Sequence, residues 1–131
     1  DEIEAVFGAP LADEHHADRA VAAALEMQRR LEAWNAVRKR SGQHTLDHGI
    51  GIHSGTVVAG NIGSAQRMSY ALVGDAVNVA SRIESLNKQF GSHILVSGAT
   101  RERLRSPVPL QALPAVRVKG RSAEVEVYRL A

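Results

Sequence analysis

The chain has no cysteine and no long apolar run, and each absence excludes a class of protein. None of its 131 residues is a Cys, which excludes disulfide frameworks and cysteine-based zinc sites and fits a reducing compartment. No apolar stretch approaches the roughly 20 residues that a membrane-spanning helix requires, and no signal peptide is recognisable. We therefore expect a cytoplasmic domain without direct membrane contact, and leave membrane anchoring of a longer parent protein open.

The charge balance is modest. The chain has 16 Lys and Arg against 14 Asp and Glu, a formal net charge of +2, and these charges are spread along it. Nothing in this balance requires nucleic acid or an anionic membrane as a partner, and we expect no nucleic-acid binding. The length suffices for one domain with a hydrophobic core. Because the first residue is Asp1 and not Met, we expect the chain to be a piece of a longer protein.

The apolar pattern predicts a mixture of strands and helices. Strands are predicted over residues 3–7, 48–58, 68–73, 93–96, 116–119 and 124–130, and helices over residues 14–40, 75–90 and 99–104. The first helix is capped by Asp13 and ends at Ser41, and residues 106–114 form a proline-containing loop. These elements predict an α+β fold, a ferredoxin-like sandwich with a mostly antiparallel sheet and helices on one face.

Each long helix has a predicted core face. In the first helix the apolar residues at three- and four-residue spacing are Ala20, Ala24, Met27, Leu31 and Trp34. In the helix after residue 74 they are Val77, Ala80 and Ile83. The glycines interleaved in residues 49–60 predict a bend, a bulge or a close approach by another backbone.

The most informative segment is residues 70–84, which read YALVGDAVNVASRIE. A Gly-Asp turn opens an amphipathic helix, in which Asn78 and Arg82 follow four residues apart. Because residues i and i+4 share one helix face, an amide and a guanidinium lie side by side, a pair suited to holding a ribose and a phosphate. The alternative is an ordinary helix start with a surface Arg, and residue types alone do not separate the two.

Three other patterns resemble functional motifs but have simpler explanations. Residues 13–18 read DEHHAD, yet acidic residues favour a helix start, and the adjacent His15 and His16 point apart. We interpret His53, in a glycine-rich strand, as a packed or hydrogen-bonded histidine rather than a catalytic base. The glycines of residues 51–63 are not followed by the Gly-Lys-Ser/Thr of a phosphate-binding loop, and we expect them to permit strand bending and close contact at a dimer interface.

Several segments, in order along the chain, resemble the catalytic domain of class III nucleotidyl cyclases. They are residues 51–63 (GIHSGTVVAGNIG), 70–84, 94–97 (ILVS) and 118–120 (VKG), and residues 1–10 (DEIEAVFGAP) resemble that family's second metal-site strand. The resemblance identifies residues 1–131 as part of one such domain. It implies conversion of ATP to 3′,5′-cyclic AMP and pyrophosphate in signal transduction, by in-line attack of the 3′-oxygen on the α-phosphorus.

The resemblance also implies roles for five residues. Asn78 corresponds to the residue that orients the ribose, and Arg82 to the one that stabilises charge developing on the α-phosphate. Lys119 corresponds to the triphosphate-binding lysine, and Ala71 falls on the base-selecting position. Asp1 corresponds to the second of two aspartates that hold two Mg²⁺ or Mn²⁺ ions per site. Without the resemblance, Asp1 is a disordered terminus and Lys119 a surface lysine of a hairpin.

Members of this family form homodimers with active sites at the interface. The resemblance therefore implies that Asp1 of one subunit meets Asn78 and Arg82 of the other, with two equivalent sites related by two-fold symmetry. The first metal aspartate and the strand and helices around it have no counterpart in this sequence. We accordingly expect this chain alone to be inactive and its sheet to have an exposed edge.

The substrate and the activity leave alternatives open. Ala71 cannot hydrogen-bond a base through its side chain, whereas adenylate-type members often carry Asp or Thr there and guanylate-type members Cys. ATP is the predicted substrate and GTP the alternative. Two further hypotheses are a pseudo-cyclase that serves as a regulatory or dimerisation module, and an unrelated ferredoxin-like binding domain.

Overall fold

The computed structural model describes residues 2–117 and 124–130, and all structural statements below concern these residues. The helices are α1 (His16–Arg40), α2 (Asp75–Phe90) and α3 (Gly98–Arg101). The strands are β1 (Ile50–Ile52), β2 (Val58–Ser64), β3 (Arg67–Val73), β4 (Ile94–Ser97), β5 (Leu110–Ala112), β6 (Val116–Arg117), β7 (Glu124–Val125) and β8 (Val127–Leu130). None of the helices in this part of the chain is long and apolar enough to cross a lipid bilayer.

The main sheet has four strands in the order β1-β4-β8-β5. β1 pairs with β4 in parallel, whereas β8 pairs antiparallel with both β4 and β5. The strand pairs β2–β3 and β6–β7 form two separate antiparallel ribbons. The predicted α+β class with a mostly antiparallel sheet is confirmed.

The two long helices cover opposite faces of the main sheet. Ile94 and Val96 of β4 pack in one apolar cluster with Val21 of α1, whereas Leu95, between them, packs with Ile83 of α2. Successive strand residues point to opposite faces, so α1 and α2 lie on different sides. This differs from the predicted placement of helices on one face, because β4 has buried apolar side chains on both of its sides, Ile94 and Val96 on one and Leu95 on the other.

The first helix begins and ends close to its predicted limits. The prediction that Asp13 caps the helix was wrong: its carboxylate accepts a hydrogen bond from the backbone N–H of His15 at 2.9 Å, but His15 is the N-cap residue and no side chain of the described residues caps the helix. The last turn carries Arg38, Lys39 and Arg40, cations that interact favourably with the negative end of the helix dipole.

The predicted apolar stripe of α1 is only partly buried. Its buried residues are Ala17, Val21 and Ala24, whereas Met27 is 47% and Trp34 49% exposed. A helix of this length extends roughly 38 Å, while strands of three or four residues span only about 10–14 Å. The second half of α1 therefore has no strand to cover it, so the prediction was wrong there.

Three strand predictions also need correction. Residues 3–7 form no strand with any described residue, and Ile3 is 87% exposed, because an apolar run becomes a strand only where a neighbour pairs with it. The predicted strand over residues 48–58 is interrupted: only β1 and the first residue of β2, Val58, are strand, with a loop at residues 53–57 between them, and the rest of β2 was not predicted. Residues 110–112, predicted as loop, pair with β8 as β5.

Candidate functional site

The β2–β3 ribbon leads directly into α2, the helix of the predicted nucleotide-binding pair. β3 ends at Val73, and Gly74 has φ 153° before the helix begins at Asp75. That backbone conformation favours glycine. A side chain at Gly74 would also lie 3.2 Å from the carbonyl oxygen of Thr56. The predicted Gly-Asp turn is thus confirmed as a tight strand-to-helix connection.

One face of α2 lies very close to β1 and to the loop that follows it. A methyl group on Gly51 would lie 2.5 Å from the Ala80 carbonyl oxygen, and one on Gly55 would lie 2.9 Å from the Ala76 Cβ. The predicted close approach of another backbone is therefore confirmed, and the neighbour is α2 of the same chain. Ala76 and Ala80, one helical turn apart, form the contacting face of the helix.

The far end of α2 is held by a buried amide. Asn87 is 4% exposed and donates to the carbonyl oxygens of Ile50 at 3.1 Å and Glu84 at 2.9 Å. Its own oxygen accepts a hydrogen bond from the Ser92 hydroxyl at 2.8 Å. This contact was not predicted from sequence. The core prediction for α2 was right at Ile83 and at Ala80, which faces β1, but Val77 is only half-buried and the other buried residues are Val79 and Asn87.

Asn78 and Arg82 project from the face of α2 that points away from β1. Each lies two residues beyond a contacting alanine, which is a rotation of about 200° around the helix axis. Both side chains are exposed. Among the described residues, neither side chain has a hydrogen bond or an ion pair. The structure thus places an amide and a guanidinium side by side on one helix face, and no described residue bonds either of them.

Ala71 lies on β3, opposite Gly60 of β2. Residues directly opposite in an antiparallel pair share a face, so Ala71 shares its face with Val58, Ile62 and Val73. These three side chains are 71%, 53% and 54% exposed, respectively. The predicted base-selecting position therefore belongs to an exposed apolar face, which we call the ribbon face, formed by Val58, Ile62, Ala71 and Val73.

Two predicted site residues lie outside the described residues. Lys119 falls between β6 and β7 in the sequence, and the antiparallel pairing of these strands confirms the predicted hairpin at residues 116–117 and 124–125 only, since the predicted strand over residues 124–130 is divided into β7 and β8. Asp1 precedes the described range, so its metal-binding role is untested. No group of three His, Asp or Glu side chains able to hold a metal ion occurs among residues 2–117 and 124–130. The described residues therefore do not by themselves fit a metal site.

The acidic and histidine-rich segment 13–18 has a structural role. The Asp18 carboxylate accepts hydrogen bonds from the backbone N–H groups of Ser106 and Arg105, both at 3.0 Å. The Ser106 N–H is the main cause that lowers the pKa of Asp18. Asp13 forms an ion pair with Arg19 at 2.7 Å. The Asp18 contacts join the start of α1 to the loop after α3, and the Asp13 ion pair lies within the start of α1.

A hydroxyl cluster anchors the loop at residues 53–57. The Nδ1 atom of His53 lies 2.8 Å from the Ser97 hydroxyl, and the hydroxyls of Ser54 and Thr100 are 2.9 Å apart. Ser97 and Thr100 have no exposed surface. The interpretation of His53 as a hydrogen-bonded histidine is confirmed. No local pattern predicted the cluster, because the residues that it joins lie more than 40 positions apart in the chain.

Comparisons with known proteins agree on one family. The family model for the adenylate and guanylate cyclase catalytic domain matches residues 1–131. Adenylate cyclase 1 of Rhizobium meliloti (strain 1021) is 39% identical over 130 residues, covering 99% of this chain and 20% of the relative. The adenylate cyclase of Anabaena cylindrica is 38% identical over 127 residues, covering 92% of this chain and 25% of the relative.

The fold is also similar to a solved cyclase structure. The guanylyl cyclase Cya2 superposes with a TM-score of 0.84 at 38% identity, covering 95% of this chain and 62% of that one. This chain thus spans a quarter or less of the length of the two curated relatives described above. The match over residues 1–131 nevertheless shows that the chain belongs to the adenylate and guanylate cyclase catalytic domain family.

Proposed function

We propose that the protein containing this domain converts ATP to 3′,5′-cyclic AMP and pyrophosphate. The 3′-oxygen of the ribose forms a bond to the α-phosphorus and loses its proton, while the bond from the α-phosphorus to the pyrophosphate oxygen breaks. The observation that carries the proposal is the pairing of Asn78 and Arg82 on the open face of α2. The similarity to enzymes named adenylate cyclase supports it.

Asn78 and Arg82 have distinct chemical tasks in this proposal. An amide has both a donor and an acceptor, so Asn78 can hold a ribose hydroxyl and orient the attacking oxygen. Arg82 carries a permanent charge and a planar set of donors, which suit the oxygens of the α-phosphate. Charge grows on those oxygens as the bonds rearrange, and a fixed guanidinium stabilises that charge in the transition state. Lys119 is proposed to hold the triphosphate as a point charge.

Divalent metal ions remain a separate part of the proposal. The family resemblance implies two Mg²⁺ or Mn²⁺ ions, with Asp1 as one ligand. The described residues contain no group that could hold an ion. The reaction step above is therefore attributed only to side chains of this chain. Dependence on Mg²⁺ or Mn²⁺ is a prediction for the complete protein.

The ribbon face supports a homodimer. Val58, Ile62 and Val73 expose more than half of their surface on one side of a two-stranded ribbon, and such apolar clusters often mark protein interfaces. The ribbon runs directly into α2, so a second copy seated there would lie beside Asn78 and Arg82. We propose that Asp1 of one protomer completes the site formed by Asn78 and Arg82 of its partner.

GTP is the second candidate substrate, and one observation favours it. The guanylyl cyclase Cya2 is 38% identical to this chain, almost the same identity as the adenylate cyclases. Ala71 has no polar side-chain atom with which to distinguish the bases. ATP remains the proposed substrate because of the adenylate cyclase relatives.

The test is a product assay on the protein at its full natural length. Purified protein is incubated with ATP or GTP in Mg²⁺ and in Mn²⁺, and the cyclic nucleotide and pyrophosphate are quantified. We expect cyclic AMP and pyrophosphate in equal amounts. Formation of cyclic GMP alone would show that the substrate is GTP and not ATP. No cyclic nucleotide under any condition would favour a pseudo-cyclase.

A further inference from the structure

The loop at residues 53–57 contacts the first turn of α2 through two very small residues. Gly55 faces Ala76, and a methyl group built on Gly55 would lie 2.9 Å from the Ala76 Cβ. Real Cβ atoms essentially never approach another heavy atom that closely. The Ala76 Cβ is fixed to the helix backbone and has no rotatable bond that could relieve the contact. Adding one methyl group at residue 55 therefore forces either the loop or the helix to move.

The loop is the more firmly held of the two. His53 and Ser54 immediately precede Gly55, and they hydrogen-bond the hydroxyls of Ser97 and Thr100 at 2.8 and 2.9 Å. Both of those partners are completely buried, so the loop is attached to the centre of the domain. A close-packed interior resists displacement, and the strain passes to the start of α2.

The first turn of α2 takes up the strain because the rest of the helix is held: Val79 and Ile83 are buried in the core, and the far end is hydrogen-bonded. Asn87 bonds the carbonyl oxygen of Ile50, three turns away from Ala76. A displacement of Ala76 therefore tilts the first turn of α2. Asn78 lies only two residues further along and moves with that turn. Arg82 lies nearer the anchored end and moves less.

We propose that Gly55 and Ala76 form a positioning pair that sets the location of Asn78 for the cyclisation reaction. This inference rests on the proposed function. The two residues touch no substrate; they act through the position of the helix. What matters is their combined size: one methyl group fits between the loop and the helix, and two do not.

Three variants of the full-length protein test the pair. Gly55→Ala adds the second methyl group, and Ala76→Gly removes the first. Gly55→Ala combined with Ala76→Gly moves the single methyl group from the helix to the loop. Ala22→Gly, at an exposed position of α1, is the matched control for the cost of glycine in a helix. Steady-state kcat and KM for ATP are measured with thermal unfolding of each variant.

The proposal predicts a specific pattern of rates. Because a misplacement of about 1 Å can cost roughly 100-fold in rate, Gly55→Ala should lower kcat by about 10- to 100-fold, with KM changed less than about threefold. The kcat of the double variant should lie within about threefold of the kcat of Ala76→Gly. Ala22→Gly should lower the unfolding temperature slightly and leave kcat unchanged.

Each contrary result has a distinct meaning. A wild-type protein without cyclase activity refutes the proposed function and, with it, the positioning role. An active wild type with full activity in Gly55→Ala refutes only the positioning pair, as does a folded double variant that does not recover. If Gly55→Ala does not fold, the double variant tests the proposal instead. The proposal requires the double variant to be folded and active, and an inactive double variant refutes it.

Discussion

The side-chain amide of Asn87 donates a hydrogen bond to the carbonyl oxygen of Ile50 at 3.1 Å, which joins the end of α2 to the first strand of the sheet. Gly51, the next residue in that strand, is packed against the same helix. The helix that carries Asn78 and Arg82 is thus fixed on its inner side by these contacts with β1 and by the packing of Ile83 against Leu95 of β4. The predicted chemistry on its outer side depends on those contacts.

Asn87→Ala should destabilise the domain. The substitution leaves the buried hydroxyl of Ser92 and the carbonyl oxygen of Ile50 without the Asn87 amide, so we expect the free energy of unfolding to fall by about 2–3 kcal/mol. Urea denaturation measures this change. Gln89→Ala, at an exposed position two residues further along α2, should cost less than about 0.5 kcal/mol. Equal losses for both variants would show that the amide is not the stabilising group.

Asp18 should titrate at an unusually low pH. The N–H of Ser106 is the main cause that holds its pKa below the ordinary value of 3.8. Because the pKa in the folded state is depressed, the stabilising contribution is present above pH 3.8 and is lost as the pH falls through the lower folded value. NMR titration of the carboxylate measures the pKa directly, and Asp18→Asn should remove this part of the acid dependence. A pKa at or above 3.8 would contradict the hydrogen-bonded geometry.

Val58→Glu should weaken self-association. The substitution places a charge on the ribbon face, where the side chain is 71% exposed, and burying an unpaired charge in an interface is costly. Sedimentation velocity should show a dimer dissociation constant raised at least about tenfold, with a parallel loss of cyclase activity. Met68→Glu is the matched control, because Met68 is 58% exposed on the opposite face of the same ribbon. If Met68→Glu dissociates the dimer and Val58→Glu does not, the interface lies on the other face.

Ala71→Thr should change the preference between ATP and GTP. The new hydroxyl can donate and accept a hydrogen bond, and a polar group aimed at a base can alter the ratio of the two kcat/KM values by about tenfold or more. The ratio is measured for both nucleotides in the wild type and the variant. An unchanged ratio would remove Ala71 from the base-selecting role.

Local signals in the sequence predicted the helix of the candidate site well. The Gly-Asp pair before α2 and the spacing of Asn78 and Arg82 depend on neighbours within one or two turns, so the sequence alone placed them correctly. Asn87 and Gly55 could not be assigned their contacts, because these join segments that lie far apart in the chain.

The errors at the other elements have a similar cause. The periodicity of α1 continues through Met27 and Trp34, but it carries no information about where the short strands beneath the helix end. Residues 110–112 pair with β8 although prolines lie on either side of them, at Pro109 and Pro114. Three residues are too few to display an alternating pattern of their own.

Arg82 is proposed to stabilise charge on the α-phosphate, and the rate of cyclic AMP formation by Arg82→Ala measures this stabilisation. The full-length variant, assayed at saturating ATP beside wild type, should show kcat lowered by roughly 100- to 1,000-fold, because a transition-state interaction is lost. Lys88→Ala, which removes a positive charge from an exposed position of the same helix, should retain the wild-type rate. Full activity in Arg82→Ala would contradict the account.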